Sequence, residues 1–170
     1  MHTGNSVNRT CPGILSMLLF LFLWAPAGMT FAGETSAPMP GPRDKCPVCG
    51  MFVAKYPDWI ASVVYEDGHT VFFDGAKDLF KYILHQERYE KARKPGEIRW
   101  INVCSYYSME QITAREAWYV IGSDVYGPMG RELIPLESEE EAREFLRDHR
   151  GERIVRFEDV TDELIAYLDR

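Results

Sequence analysis

An α+β protein, two β-β-α-β halves packed together with a short C-terminal helix, is the fold predicted by the sequence. Three observations carry that reading. Two strand-like runs in "WIASVVYEDGHTVFFD" flank Asp67-Gly68, the composition of a tight hairpin. A helical face follows, on which Ala76, Leu79, Phe80, Ile83 and Leu84 fall together. The same order of strand, turn, helix and strand then recurs in the second part of the chain.

In the first half, Asp74 stands where it can cap that helix. The polar segment "ERYEKARKPGE" ends it, and "IRWINVCSYYS", Ile98 to Ser108, returns as a strand. Its poor alternation predicts burial on both faces. In the second half, "REAWYVIGSDVYGPMG" reads as a strand, a Gly-Ser-Asp turn and a loop carrying Gly127 to Gly130. "SEEEAREFLRDHRG" opens with Ser138 and Glu141 in capping-box spacing and closes on Gly151. "ERIVRFEDV" alternates as a strand, and "TDELIAYLD" is the last helix. The halves span about 46–109 and 110–170. Lengths of roughly 60 residues are marginal for independent folding, so the two share one core.

The chain has 170 residues, with 46% apolar and 13% aromatic content, enough for one domain. A net charge of −7 argues against nucleic acid and against adsorption to anionic lipid. At the N-terminus, Arg9 precedes the apolar run "ILSMLLFLFLWAPA", and small residues lead to "TFA" at Thr30 to Ala32. This is the pattern of a secretory signal peptide, residues 1–32. The alternative is a retained anchor helix, against which Pro26 and Gly28 interrupt the run. Gly33 to Lys45 is rich in proline, glycine and small polar residues and reads as a flexible linker. The domain is therefore exported, to the periplasm.

Export sharpens the reading of cysteine. With Cys11 in the leader, Cys46, Cys49 and Cys104 remain, too few and too odd a number for a disulfide framework. The pair in "DKCPVCGMFV" has three possible uses. A structural zinc needs four ligands, and no second C-x-x-C or H-x-x-H is present; Cys104, His69, His85 and His149 stand singly. A redox dithiol opens a helix after a strand, whereas this pair follows a Pro-rich linker and precedes Gly50. A soft-metal clamp uses more of what is there. Thiolate and thioether sulfur select Cu(I), Met51 lies two residues after Cys49, and Met129 sits in a Gly/Pro loop. A lone methionine is otherwise ordinary packing material.

Taken in order, C-x-x-C-G-M, "YPDW", "VFFDGAKDLF", "YYS", "AWYVIGSDVYGPMG" and "EEEAREFLRDHRGERIVRFEDV" resemble the NosL-type accessory proteins of nitrous oxide reductase. The resemblance covers Cys46 to about Val160. It implies an exported copper chaperone, not an enzyme, that carries Cu(I) for assembly of a copper enzyme's metal centre. It implies two β-β-α-β halves and copper ligands drawn from Cys46, Cys49, Met51 and Met129. Nitrous oxide reductase and its assembly machinery are the implied partners. Many members are lipoproteins, whereas this leader has no cysteine at its cleavage site. Cys104 and Ser105 replace the threonine and aspartate often found before "YYS"; Cys104 is expected to be a buried small hydrophobe, the alternative being an extra thiol near the metal.

The expectation is thus an accessible clamp on a flexible mount, suited to releasing its ion by ligand exchange. The rival from another class is a periplasmic thiol–disulfide oxidoreductase using Cys46 and Cys49, which requires a depressed thiol pKa. An interaction module with those two cysteines joined in a disulfide is the third reading.

Overall fold

The computed structural model describes residues 38–170. The predicted leader, and all of the linker before Pro38, lie outside the described residues. Strands β1 (Ala61–Tyr65) and β2 (Thr70–Phe73) pair antiparallel around Asp67-Gly68, as their alternation requires. Helix α1 (Ala76–Leu84) buries Ala76, Leu79 and Phe80, and Ile83 and Leu84 pack half-buried against the same core. Its N-cap is Gly75, which offers no side chain of its own, and the Glu132 carboxylate accepts the Lys77 N–H in its place. Asp74, the predicted cap, instead turns its carboxylate toward Cys49. A short helix α2 (Gln86–Tyr89) follows.

Strand β3 (Ile98–Cys104) pairs with β1, and β4 (Gln111–Thr113) pairs with β3, completing a sheet of order β2-β1-β3-β4. Burial of β3 on both faces is not what the structure shows. Ile101 and Val103 point inward, while Trp100 is 52% exposed. Trp100 tolerates that position because an indole is amphipathic and the Arg99 guanidinium lies 5.8 Å from its ring. The strand also stops at Cys104 rather than Ser108, because Tyr106 donates its N–H to the Pro135 carbonyl. The first sheet takes in Thr113, so it extends past the predicted division at residue 109.

The second half repeats the plan around β5 (Trp118–Ile121). A small hairpin of β6 (Tyr126–Gly127) and β7 (Gly130–Arg131) precedes β8 (Ile134–Leu136), α3 (Glu139–Asp148) and β9 (Arg153–Val155). The sheet order is β8-β5-β9, with β5 central and both neighbours antiparallel to it. In the first half β1 is likewise flanked by β2 and β3, which is the predicted repeat of β-β-α-β topology. The last helix, α4 (Asp162–Leu168), starts at Thr161, whose Oγ1 accepts the Leu164 N–H at 3.4 Å.

Helix α3 begins as its sequence demands, with Ser138 Oγ accepting the Glu141 N–H at 3.2 Å. The reciprocal half of the box is displaced by one residue, since the Glu141 carboxylate takes the Glu137 N–H. At the other end Arg150, not Gly151, adopts the left-handed conformation, with φ of 54°. Gly151 donates to the Leu146 carbonyl, closing the turn.

Alternation along β5 explains how the halves join. Tyr119 and Ile121 enter a core shared with Val63, Phe73, Leu79 and Phe80 of the first half and with Leu164, Ile165 and Leu168 of α4. Val120 faces the other way, onto Ala142 and Phe145 of α3. Phe80 bridges the halves, its ring 5.3 Å edge-on from Tyr119 and 5.0 Å from Phe157. Burying one such ring stabilises the fold by roughly 1.5–3 kcal/mol. Helix α1 therefore lies at the junction, and it brings one end of itself to the cysteine motif.

Candidate metal centre

The residues before β1 form a closed knuckle. Lys45 and Phe52 make an isolated antiparallel bridge, and Val53 returns its N–H to the Asp44 carbonyl at 3.0 Å. Inside that bridge Cys46 donates its N–H to the Met51 carbonyl and accepts the Gly50 N–H, both at 2.9 Å. The reversal puts Gly50 at φ 80°, where a side chain is disfavoured. Val53 and Cys46 are fully buried in the shared core. The flexible, accessible mount expected from the linker composition is thus not what the motif adopts. A chain of backbone hydrogen bonds and two buried anchors hold it against α1.

This placement brings Cys46 and Cys49 to two carboxylates that the sequence reading had not assigned to the site. Cys46 Sγ donates to Asp78 Oδ2 at 3.3 Å, and Cys49 Sγ donates to Asp74 Oδ1 at 3.1 Å. One ligand atom from each of the four residues lies within 4.8 Å of all the others. Asp74 precedes α1 and Asp78 sits in its first turn, a spacing of four that puts both on one side of the helix start. That i, i+4 pair in "FFDGAKD" was the available signal, hidden because an aspartate before a helix also reads as a cap.

Burial pushes the Cys46 thiol far up from its ordinary range, and the Asp78 and Asp74 charges add to this; the Cys49 and Val48 backbone N–H groups pull the other way. Burial likewise pushes Cys49 up, to about 12, with the hydrogen bond to Asp74 adding and the Met51 N–H opposing. Both cysteines therefore stand as thiols that donate to carboxylates. A redox dithiol needs the opposite, a stabilised thiolate at a helix N-terminus, so the oxidoreductase reading loses its chemical basis. Nor are the two joined: both are free thiols.

The carboxylates have capacity to spare. Asp74 Oδ2 and Asp78 Oδ1 are buried with no hydrogen-bond partner, and the Lys81 ammonium stands 3.7 Å from the latter. Buried acceptors are ordinarily satisfied, so two orphaned oxygens beside two thiols fit a cation that replaces the thiol protons. The set is also four donors, which supplies a count of ligands that the sequence alone lacked.

Met51 is half-buried in the same knuckle, its backbone hydrogen-bonded to Cys46. Met129 is at the tip of the β6–β7 hairpin, 41% exposed, with its carbonyl accepting from Lys77 Nζ at 2.9 Å. Lys77 is the residue before Asp78, so the hairpin from the second half reaches the turn of α1 that carries the site. Cys104 lies elsewhere, buried at the end of β3 and outside the four-residue group, as expected of a small hydrophobe.

The model of one protein family, NosL, matches residues 39–165. The chain belongs to the NosL family. Among NosL relatives, the "Copper-binding lipoprotein NosL" of Stutzerimonas stutzeri is 26% identical over 172 aligned positions, which cover 95% of this chain and 86% of that protein. The fold is similar to the crystal structure of the copper chaperone NosL from Shewanella denitrificans, with a TM-score of 0.63 at 22% identity, covering 75% of this chain and 97% of that one. The first of these NosL proteins is named for copper binding and the second as a copper chaperone. The matched stretch contains the C-x-x-C knuckle, both aspartates and the hairpin that carries Met129.

Proposed function

We propose that this chain is an exported carrier of Cu(I), which it delivers for assembly of a copper enzyme, nitrous oxide reductase being the client suggested by its family. The convergence of two thiols and two buried carboxylates within 4.8 Å in a NosL-family fold carries the reading. Cys46 and Cys49 bind as thiolates, and Met51 and Met129 complete a sulfur-rich set. Soft sulfur donors select Cu(I) over harder cations. Loading expels the two thiol protons, and release reverses this, as each returning proton competes with the ion for its sulfur.

The relative named a lipoprotein supports export, and the leader pattern at residues 1–32 of this sequence supports it independently. Anaerobic titration in competition with a chromophoric Cu(I) chelator tests the site. One tight equivalent is expected for the wild type and none for the Cys46→Ser/Cys49→Ser double variant. Undiminished binding by that variant, or displacement of the Cu(I) by stoichiometric Zn²⁺, would overturn the assignment.

A further inference from the structure

Lys77 is an unusual residue to bury. It is 2% exposed, and an ammonium at that depth costs several kcal/mol of desolvation that an apolar residue of similar length avoids. Its Nζ has two partners: the Met129 carbonyl at 2.9 Å and Asp169 Oδ1, near the C-terminus, at 3.2 Å. Its backbone N–H donates to Glu132 Oε1 at 2.5 Å, which also accepts the Leu133 N–H at 2.9 Å. One lysine on α1 therefore holds the β6–β7 hairpin at its tip by side chain, and holds the segment just after β7 by main chain.

The hairpin depends on such contacts. Strands of two residues each, pairing only with one another, are not stable alone. Space around the latch is also shaped for it. A Cβ on Gly75 would lie 2.3 Å from Glu132 Oε2, and one on Gly127 would lie 3.1 Å from the same atom. Both the residue before α1 and the last residue of β6 are thus without side chains where Glu132 passes between them.

The same turn of α1 carries Asp78, which accepts from Cys46. Helix α1 is then a common ruler, with the thiol-bound carboxylate and the hairpin latch on adjacent residues. We propose that Lys77 is a positioning residue that sets Met129 relative to the two thiols, so that the second half can complete the clamp. The proposal rests on the reading of Met129 as a copper ligand.

A double-mutant cycle in Cu(I) affinity, measured anaerobically against a chromophoric chelator, tests it with wild type, Met129→Ala, Lys77→Gln and the double variant. Loss of an outer-shell partner typically weakens metal affinity about 10–100-fold. Lys77→Gln is expected to lose affinity within that range, Met129→Ala to lose a similar factor, and the double variant to be no weaker than Met129→Ala. A merely structural lysine gives losses that multiply, because its effect does not pass through the thioether. Multiplying losses, or wild-type affinity in Lys77→Gln beside a damaged Met129→Ala, overturns the positioning role alone. A silent Met129→Ala overturns the ligand reading and the positioning role with it. Should Lys77→Gln fail to fold, Gly127→Ala disturbs the hairpin from its root, and the same non-additivity with Met129→Ala is required.

Discussion

Glu132 is expected to make the stability of this protein fall as pH rises through neutrality. The side chain is 3% exposed, wedged beside Gly75 and Gly127, and its Oε1 accepts two backbone N–H groups. Burial pushes its carboxyl from the ordinary value of 4.5 up to about 8; the two N–H bonds and the Lys77 ammonium oppose that, and the Asp78 charge adds to it. The folded protein thus keeps a proton here that the unfolded chain loses near pH 4.5. Below pH 4.5 both states are protonated and the full contribution is present. Between about 4.5 and 8 each pH unit removes about 1.4 kcal/mol, and the loss is complete above the folded pKa, on the order of 4–5 kcal/mol in total. Glu132→Gln retains a carbonyl acceptor for both N–H groups but cannot ionise. Urea unfolding of both proteins from pH 5 to 9, under reducing conditions, isolates the effect as a difference of slopes, because every other titrating group is common to the two. The variant should gain on the wild type by about 1.4 kcal/mol per pH unit up to about pH 8 and by nothing further above it. A constant difference across that range would refute the claim that the carboxyl is folded in its neutral form.

Three shorter predictions concern the clamp and the core. Prolonged exposure to a disulfide oxidant, followed by alkylation of the unfolded, metal-stripped protein, should show Cys46 and Cys49 lost slowly from empty protein, whose raised thiols hold little thiolate, and retained with one equivalent of Cu(I); equal loss would place the ion elsewhere. Gly50→Ala should destabilise the protein by about 1 kcal/mol in urea, a purely conformational cost at φ 80°, because nothing lies within 4 Å of the added methyl. Phe80→Ala should cost about 3–5 kcal/mol by the same measurement, since its ring fills the junction between the halves; a loss under 1 kcal/mol would mean the halves do not rely on that junction.

Local chemistry was enough to read most of the elements from the chain. Asp67-Gly68 sets the hairpin of β1 and β2, and Ser138 and Thr161 start α3 and α4 where their hydroxyls meet the third backbone N–H. The two cysteines of the clamp were likewise legible, because a C-x-x-C pair with a following thioether is a local pattern. Asp74 and Asp78 were not. Within the sequence an aspartate at the start of a helix is stabilised by the helix itself, so a capping role and a site role look alike. Only the fold turned both carboxylates onto the thiols, by docking the knuckle through buried Cys46 and Val53 against α1. Exposure of the motif was misjudged for the same reason. Proline and glycine before Cys46 describe a chain with few local preferences, and whether it stays mobile depends on partners supplied from 25 to 32 residues away. The contact between Lys77 and Met129, 52 residues apart, is further still from anything a local pattern encodes. Periodicity and turn chemistry act over a few residues, so they decide elements; the site is made where elements from both halves meet, and its geometry belongs to their packing.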